Sequence, residues 1–286
     1  MFKRQTTGSV VCPACGKLVG VNDDQCWSCG RRNPGMWGFS LLLRVIGSEV
    51  VFSRVVLYAC GVLYVLMLVT DPSGIGGGGL FTMLSPSGRS TFLFGSSGVI
   101  PVLQENRWWT VLSAGWLHGG LLHIGFNMMW ANQLIPAVSR LYGPGRVVII
   151  YVLSSAVGFT ATSLAVFLPI RIPFLLPAGQ TVGASAAILG LLGALVYYGR
   201  RTGQTAVRSQ ALGYAIVLIM FGFVMSSVDN WAHLGGFGGG YLVAKWLDPL
   251  KPERTDHLMA AGALIVVSGL AILASFLHGL PLVRGG

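Results

Sequence analysis

The sequence predicts an all-α, polytopic membrane protein with seven spanning helices and a small cysteine-bearing head, and three observations carry that prediction. Hydrophobic residues make up 53% of the 286 positions and charged residues only 10%, against roughly a quarter charged in an ordinary soluble domain. Mean hydropathy is +0.69, and apolar runs close to the ~20 residues that a spanning helix needs recur along the chain. The 41 glycines suit helices in lipid, which associate through small residues because burial away from water no longer drives them together. No three-residue period points to collagen. The formal net charge of +10 is scattered singly between apolar runs instead of forming a stripe, which argues against a nucleic-acid partner and for a role in topology.

The chain begins with a polar, cysteine-bearing stretch and no early apolar core of the kind a cleaved signal carries, so the first span is expected to stay as an anchor. Within that stretch Cys12 and Cys15, then Cys26 and Cys29, form two CxxC pairs ten residues apart, each followed by glycine (Gly16, Gly30). Two residues between thiolates let a tight turn aim both sulfurs at one ion, and two such turns complete a tetrahedral site. Zinc is the expected metal, with a rubredoxin-like iron site or a redox disulfide as alternatives. The pattern resembles the zinc ribbon family over 11–32. For so short a unit the metal supplies most of the folding free energy, and a cytoplasmic partner is one use for it. Cys60, in the first span, reads as a small core residue.

The first span is placed at 54–70, stopped by Asp71-Pro72. Residues 72–110 form a long loop, glycine-rich at 76–79 yet carrying Phe92, Phe94, Trp108 and Trp109, which suggests a segment dipping into the membrane interface. The remaining spans are placed at 111–141, 147–168, 182–198, 211–228, 231–247 and 258–277. With the N-terminus inside, Lys3, Arg4, Lys17, Arg31, Arg32, Arg44, Arg54, Arg140, Arg146, Arg200, Arg201, Arg208, Lys245, Lys251 and Arg254 face the cytoplasm. Only Arg89, Arg107, Arg171 and Arg284 lie outside. Such an excess sets the N-terminus in and, with seven spans, the C-terminus out.

Polar side chains within spans are costly and point to function; here they are His118, His123, Asn127, Asn132 and Gln133 in the second span, Ser185 in the fourth and His233 in the sixth. Asp71, Asp229 and Asp248 all sit at span ends, which argues against an aspartyl protease with paired carboxylates. There is no HExxH for a zinc protease. A nucleophilic site centres on Gly183-Ala184-Ser185-Ala186. His233 shares a helix face with Gly236 and Gly240, a face able to meet another helix at backbone distance. Against the fourth span, that face would bring a general base to the Ser185 hydroxyl.

Together GASA, the AH with GxxxG spacing, and His118-x4-His123-x3-Asn127 resemble the rhomboid family of intramembrane serine proteases, over roughly 108–248. The resemblance implies a six-helix core with a seventh, C-terminal transmembrane helix added, and a Ser185–His233 dyad without an acidic third member. It implies His123 and Asn127 as oxyanion donors with the Ser185 N–H, and His118, Gly183, Gly236 and Gly240 as cavity or loop support. The organisation it implies is a zinc-ribbon head (1–35), a linker or juxtamembrane segment (36–53), the protease core (54–248) and the extra helix (249–286). Transmembrane proteins would be the substrates, the bilayer the medium, and a bacterial inner membrane the setting. The alternative is a non-catalytic relative that binds and stabilises or delivers membrane proteins. This chain departs from the family pattern at Leu189, where an aromatic residue is usual four positions after the serine, at Thr110 after Trp109, and at Pro136 and Ser139.

Overall fold

The computed structural model describes residues 4–12, 15–38, 50–75, 83–169, 172, 175–225 and 228–284. Most of the segment read as a linker, the glycine run at 76–79 and the ends of the chain lie outside the described residues. The head is a two-stranded antiparallel hairpin, β1 (Ser9–Val11) and β2 (Leu18–Gly20), with Ser9 opposite Gly20. The remainder is helical: α1 (Val51–Thr70), α2 (Gly88–Phe94), α3 (Leu121–Tyr142), α4 (Pro144–Leu164), α5 (Ser185–Thr202), α6 (Thr205–Val224), α7 (Asn230–Leu247) and α8 (Thr255–Arg284).

The chain is thus an all-α, multi-pass membrane protein, with seven long helices among the described residues. By length and composition α1, α4, α6 and α8 are apolar enough to cross a membrane. The other three, α3, α5 and α7, carry His123, Asn127, Asn132, Gln133, Ser185, His233, Gly236 and Gly240, which makes them less apolar. They occupy the interior: Ile188, Leu189, Leu191 and Leu192 of α5 are buried with Ile135 and Val138 of α3 and Val147, Ile150 and Tyr151 of α4 in one continuous core.

The second span differs from the expected single helix over 111–141. A helical turn at Thr110–Ser113 and a 3-10 turn at Ala114–Trp116 come first. The chain then extends at Leu117 (ψ 156°) and again at Gly120 (φ 172°) before α3 begins at Leu121. His118 therefore sits in this break instead of on the helix that carries His123. The fifth span starts at Thr205 instead of 211, taking Arg208 into its first turn, and the last runs to Arg284 past Pro281.

Residues 83–110 of the long loop pack against the helices. Ser87 caps α2, its hydroxyl accepting from the Ser90 N–H at 3.0 Å. Leu93 and Phe94 are buried with Tyr64 and Met67 of α1 and Leu117, and Phe276 and Leu280 of α8 pack against them. Packing inside the protein accounts for these apolar side chains, while Trp108 stays exposed.

The charge-rich helix ends gather at one end of the bundle. Arg146, buried at the start of α4, donates to the carbonyls of Lys251 (2.7 Å) and Pro252 (2.9 Å) and to His257 Nδ1 (3.1 Å). Glu253 Oε1 accepts from the Gly145 and Arg146 N–H groups at 2.8 and 2.9 Å, a carboxylate placed where a helix N-terminus favours negative charge. Burial pushes the Glu253 carboxyl above its ordinary range, and the Arg146 and Gly145 N–H groups with the charges of Arg146 and the head's Arg31 oppose that shift.

Candidate active site and metal centre

α5 and α7 meet at backbone distance. A Cβ added to Gly236 would lie under 3.0 Å from the carbonyl of Ala186, and one on Gly240 would strike that of Gly190. Only glycine allows this approach. The contact sets the N-terminal ends of the two helices side by side, with Ser185 the first residue of α5 and His233 in the first turn of α7. Asp229 caps α7, accepting from the Ala232 N–H at 3.0 Å, and its carbonyl accepts from the His233 N–H at 3.1 Å.

His233 Nε2 lies 2.9 Å from Ser185 Oγ. His233 is buried, and its Nδ1 has no hydrogen-bond partner among the described residues. An Nε2 that accepts from the serine leaves Nδ1 protonated, a tautomer inferred from the bonding pattern. Carboxylates play no part in the pair.

His123 and Asn127 lie one turn apart on α3. His123 Nδ1 accepts from the Gly119 N–H at 3.3 Å, so the proton of the neutral ring sits on Nε2. That nitrogen faces Gly183: a Cβ there would come within 2.7 Å of His123 Nε2 and 3.7 Å of Ser185 Oγ. Gly183 also has φ +137°, a conformation that disfavours any side chain. The hydrogen of Gly183 thus borders a space facing both the serine hydroxyl and an N–H donor. Asn127 is buried and donates to the His123 carbonyl at 2.9 Å, with a second amide hydrogen to spare. The Ser185 N–H is one of the orphan donors of a helix start.

His118 is fully buried. Its ring lies edge-on to His123, centroids 5.2 Å apart, and neither nitrogen has a hydrogen-bond partner among the described residues. Leu189 is completely buried in the α5 core. Sequence reasoning had no signal for Asp229 beyond its place at a span end, or for the pairing of Ser97 with Thr181 that ties the long loop to the segment entering Ser185.

At the other end of the chain the sulfurs of Cys12, Cys15, Cys26 and Cys29 all lie within 4.8 Å of one another. Cys12 and Cys29 are 3.7 Å apart and Cys15 and Cys26 3.6 Å. Four thiolates around zinc, at about 2.3 Å each, stand about 3.8 Å from one another, and a disulfide needs about 2.05 Å. The two knuckles repeat one geometry: Gly16 and Gly30 have φ +74° and +72°, and each donates to the first cysteine's carbonyl at 2.9 Å. The cluster can therefore hold a metal ion. Cys26 and Cys29 titrate together: burial raises both thiols, the Cys29 and Ser28 N–H groups and the neighbouring sulfurs hold Cys26 down, and the proton they displace is kept by Cys29, whose thiol is pushed up. Metal analysis of the purified protein is expected to find about one ion per chain, and Cys12→Ser to abolish that binding. Acidification should release the ion too, since protons compete for thiolate ligands.

A multi-pass helical bundle that brings a serine and a histidine into hydrogen-bond contact at facing helix N-termini defines a class of membrane protein. The Rhomboid domain model matches residues 105–248, half of the chain, and the chain belongs to the rhomboid family. It is similar to the rhomboid protease GluP of Bacillus subtilis (strain 168), 29% identical over 180 residues, 62% of this chain and 33% of the relative. It is also similar to RHOMBOID-like protein 4 of Arabidopsis thaliana, 30% over 217 residues (69% and 52%). A third relative is the putative rhomboid protease YdcA of Bacillus subtilis (strain 168), 29% over 161 residues (53% and 73%). The chain thus spans a third to about half of the first two relatives' length.

Proposed function

We propose that the protein is an intramembrane serine protease that hydrolyses peptide bonds in or near transmembrane helices of membrane protein substrates, with Ser185 as nucleophile and His233 as general base. The observation that carries this reading is the 2.9 Å contact between His233 Nε2 and Ser185 Oγ, within the hydrogen-bond reach that general-base activation needs. Ser185 Oγ attacks the scissile carbonyl carbon while its proton passes to His233 Nε2, which returns it to the leaving amine as the tetrahedral intermediate collapses. Water then attacks the acyl-enzyme by the same route. The developing oxyanion is held by the Ser185 N–H, His123 Nε2–H and the spare amide hydrogen of Asn127, donors fixed before the reaction starts. His118 braces His123 by ring contact.

The division into a head (1–35), a linker (36–53), the protease core (54–248) and an added helix (249–286) belongs to this reading. So do a structural zinc in the head, an N-terminus in the cytoplasm of a bacterial inner membrane and a C-terminus outside. The substrate peptide must leave its helix to present a carbonyl, so small or helix-breaking residues should favour cleavage. The test is incubation of the detergent-purified protein with a model transmembrane substrate, wild type beside Ser185→Ala. Absence of cleavage by the wild type in every lipid tried would favour the binding and delivery role instead.

Asn127→Ala is expected to lower turnover without abolishing it. Loss of one oxyanion donor costs roughly a hundred- to a thousandfold in a soluble serine protease, and two donors remain here. Wild-type rates in Asn127→Ala combined with His123→Ala would contradict this assignment.

A further inference from the structure

The seventh long helix does more than add a span. Arg107 is fully buried, and its guanidinium lies 4.1 Å over the Phe92 ring. One arm, Nη1, donates to the Phe92 carbonyl at 2.9 Å, and the other, Nη2, reaches the Ser275 carbonyl of α8 at 2.8 Å. Trp109 Nε1 donates to Ser275 Oγ at 3.1 Å, and its ring meets that of His278 edge-on at 5.5 Å. Phe94 meets Phe276 in the same way at 5.4 Å. Gly279 lets the elements close, since a Cβ there would stand 3.1 Å from Leu93 Cδ1 and 3.4 Å from its Cα. One turn of α8 thus grips the 92–109 segment from both sides.

That segment is itself paired to the strand that enters the candidate nucleophile. Ser97 and Thr181 exchange backbone hydrogen bonds at 3.0 and 2.8 Å, and the Val99 and Ile100 N–H groups donate to the Ala178 and Gly179 carbonyls at 3.0 and 2.9 Å. Gln180 Nε2 donates to Thr91 Oγ1 at 2.7 Å. The Gly183 N–H donates to the Ala114 carbonyl at 3.0 Å. Residues 178–183 therefore owe their placement to the 91–114 segment, and Ser185 follows two residues later.

We propose that the Ser275–Gly279 turn of α8 is a positioning element for the nucleophile, acting on Ser185 through the 91–114 segment and its pairing with 178–181. This rests on the reading of Ser185 as the nucleophile. The physical ground is the buried guanidinium: two carbonyls satisfy its arms, and losing α8 would leave one arm of a buried charge without its partner, a costly state. Trp109 and Gly279 add direction, since the indole N–H has one acceptor on α8 and the glycine leaves no slack for sliding.

Two readouts on the full chain in detergent test this. The first is hydrogen exchange at the amides of Ser97, Val99 and Ile100; the second is the maximal rate and half-saturating concentration for fluorophosphonate labelling of Ser185. Ser275→Ala and Gly279→Val are each expected to speed exchange about tenfold or more, as a locally opened segment does. Their maximal labelling rate should fall by about ten- to a hundredfold, the scale of an ångström-level misplacement, with half-saturation little changed. Ser275→Thr, which restores the acceptor for Trp109, should return both towards wild type. If Gly279→Val fails to fold, the Ser275 pair carries the test. Because Ser275→Ala removes the acceptor of the Trp109 indole but leaves the Ser275 carbonyl on Arg107, Arg107→Met is measured beside it; unchanged exchange in both overturns the proposal, and so does faster exchange with an unchanged labelling rate. If wild-type Ser185 does not label, the catalytic reading fails, and with it the claim on the nucleophile, while exchange still decides whether α8 holds the segment.

Discussion

Ser185→Ala and His233→Ala are each expected to abolish proteolysis and fluorophosphonate labelling while leaving membrane insertion and fold intact. The serine is the first residue of α5 and its hydroxyl meets one ring nitrogen of a buried histidine. Among the described residues, His233 Nε2 is the hydrogen-bond partner of the Ser185 hydroxyl. Residues acting as one unit lose nearly everything together, on the order of a millionfold in a soluble serine protease. The double variant should therefore be little worse than either single one, and a double-mutant comparison of cleavage rates checks this. The helix contacts that hold the site involve the backbone of Ala186, Gly190, Gly236 and Gly240, which neither substitution touches.

Gly236→Val is expected to have the second largest effect, on both stability and activity. A side chain there must displace the backbone of α5 at Ala186, directly after the nucleophile. Overpacking of this kind costs about 1–3 kcal/mol, and thermal melting in detergent should show it as a lowered midpoint. The same displacement separates Ser185 from His233, and a shift of about 1 Å at such a contact costs about a hundredfold. Gly238→Val serves as the comparison, because a Cβ at Gly238 meets nothing within 4 Å. Equal cleavage rates in the two variants would show that the close approach of α5 and α7 does not set the dyad geometry.

The bundle was legible in the sequence because lipid imposes one rule, a run of about 20 apolar residues; four helices obey it outright, and the other three are apolar runs interrupted by the polar residues and glycines of the candidate site. The candidate site was legible for the opposite reason. Ser185, His233, His123 and Asn127 are polar residues in apolar surroundings, and Gly236 and Gly240 lie at the spacing of one helix face. Boundaries were less legible. The break at Leu117–Gly120 carries two adjacent glycines, Gly119 and Gly120, a helix-weakening signal that the reading of one continuous span passed over because glycine is also common in membrane helices. Arg107 was counted as an outer charge, yet it is buried against the Phe92 and Ser275 carbonyls. No periodicity marks a cation whose partners are backbone carbonyls 15 and 168 residues away. The metal centre was legible because two CxxC pairs restrict geometry locally, before any tertiary contact forms.

The measurement closest to the central claim is mass-spectrometric mapping of the covalent adduct formed when detergent-purified wild-type protein reacts with a fluorophosphonate. The adduct is expected on Ser185 alone, at one per chain, absent from His233→Ala and present with undiminished occupancy in Cys12→Ser. An adduct on another serine, or equal labelling of wild type and His233→Ala, would contradict a Ser185–His233 dyad.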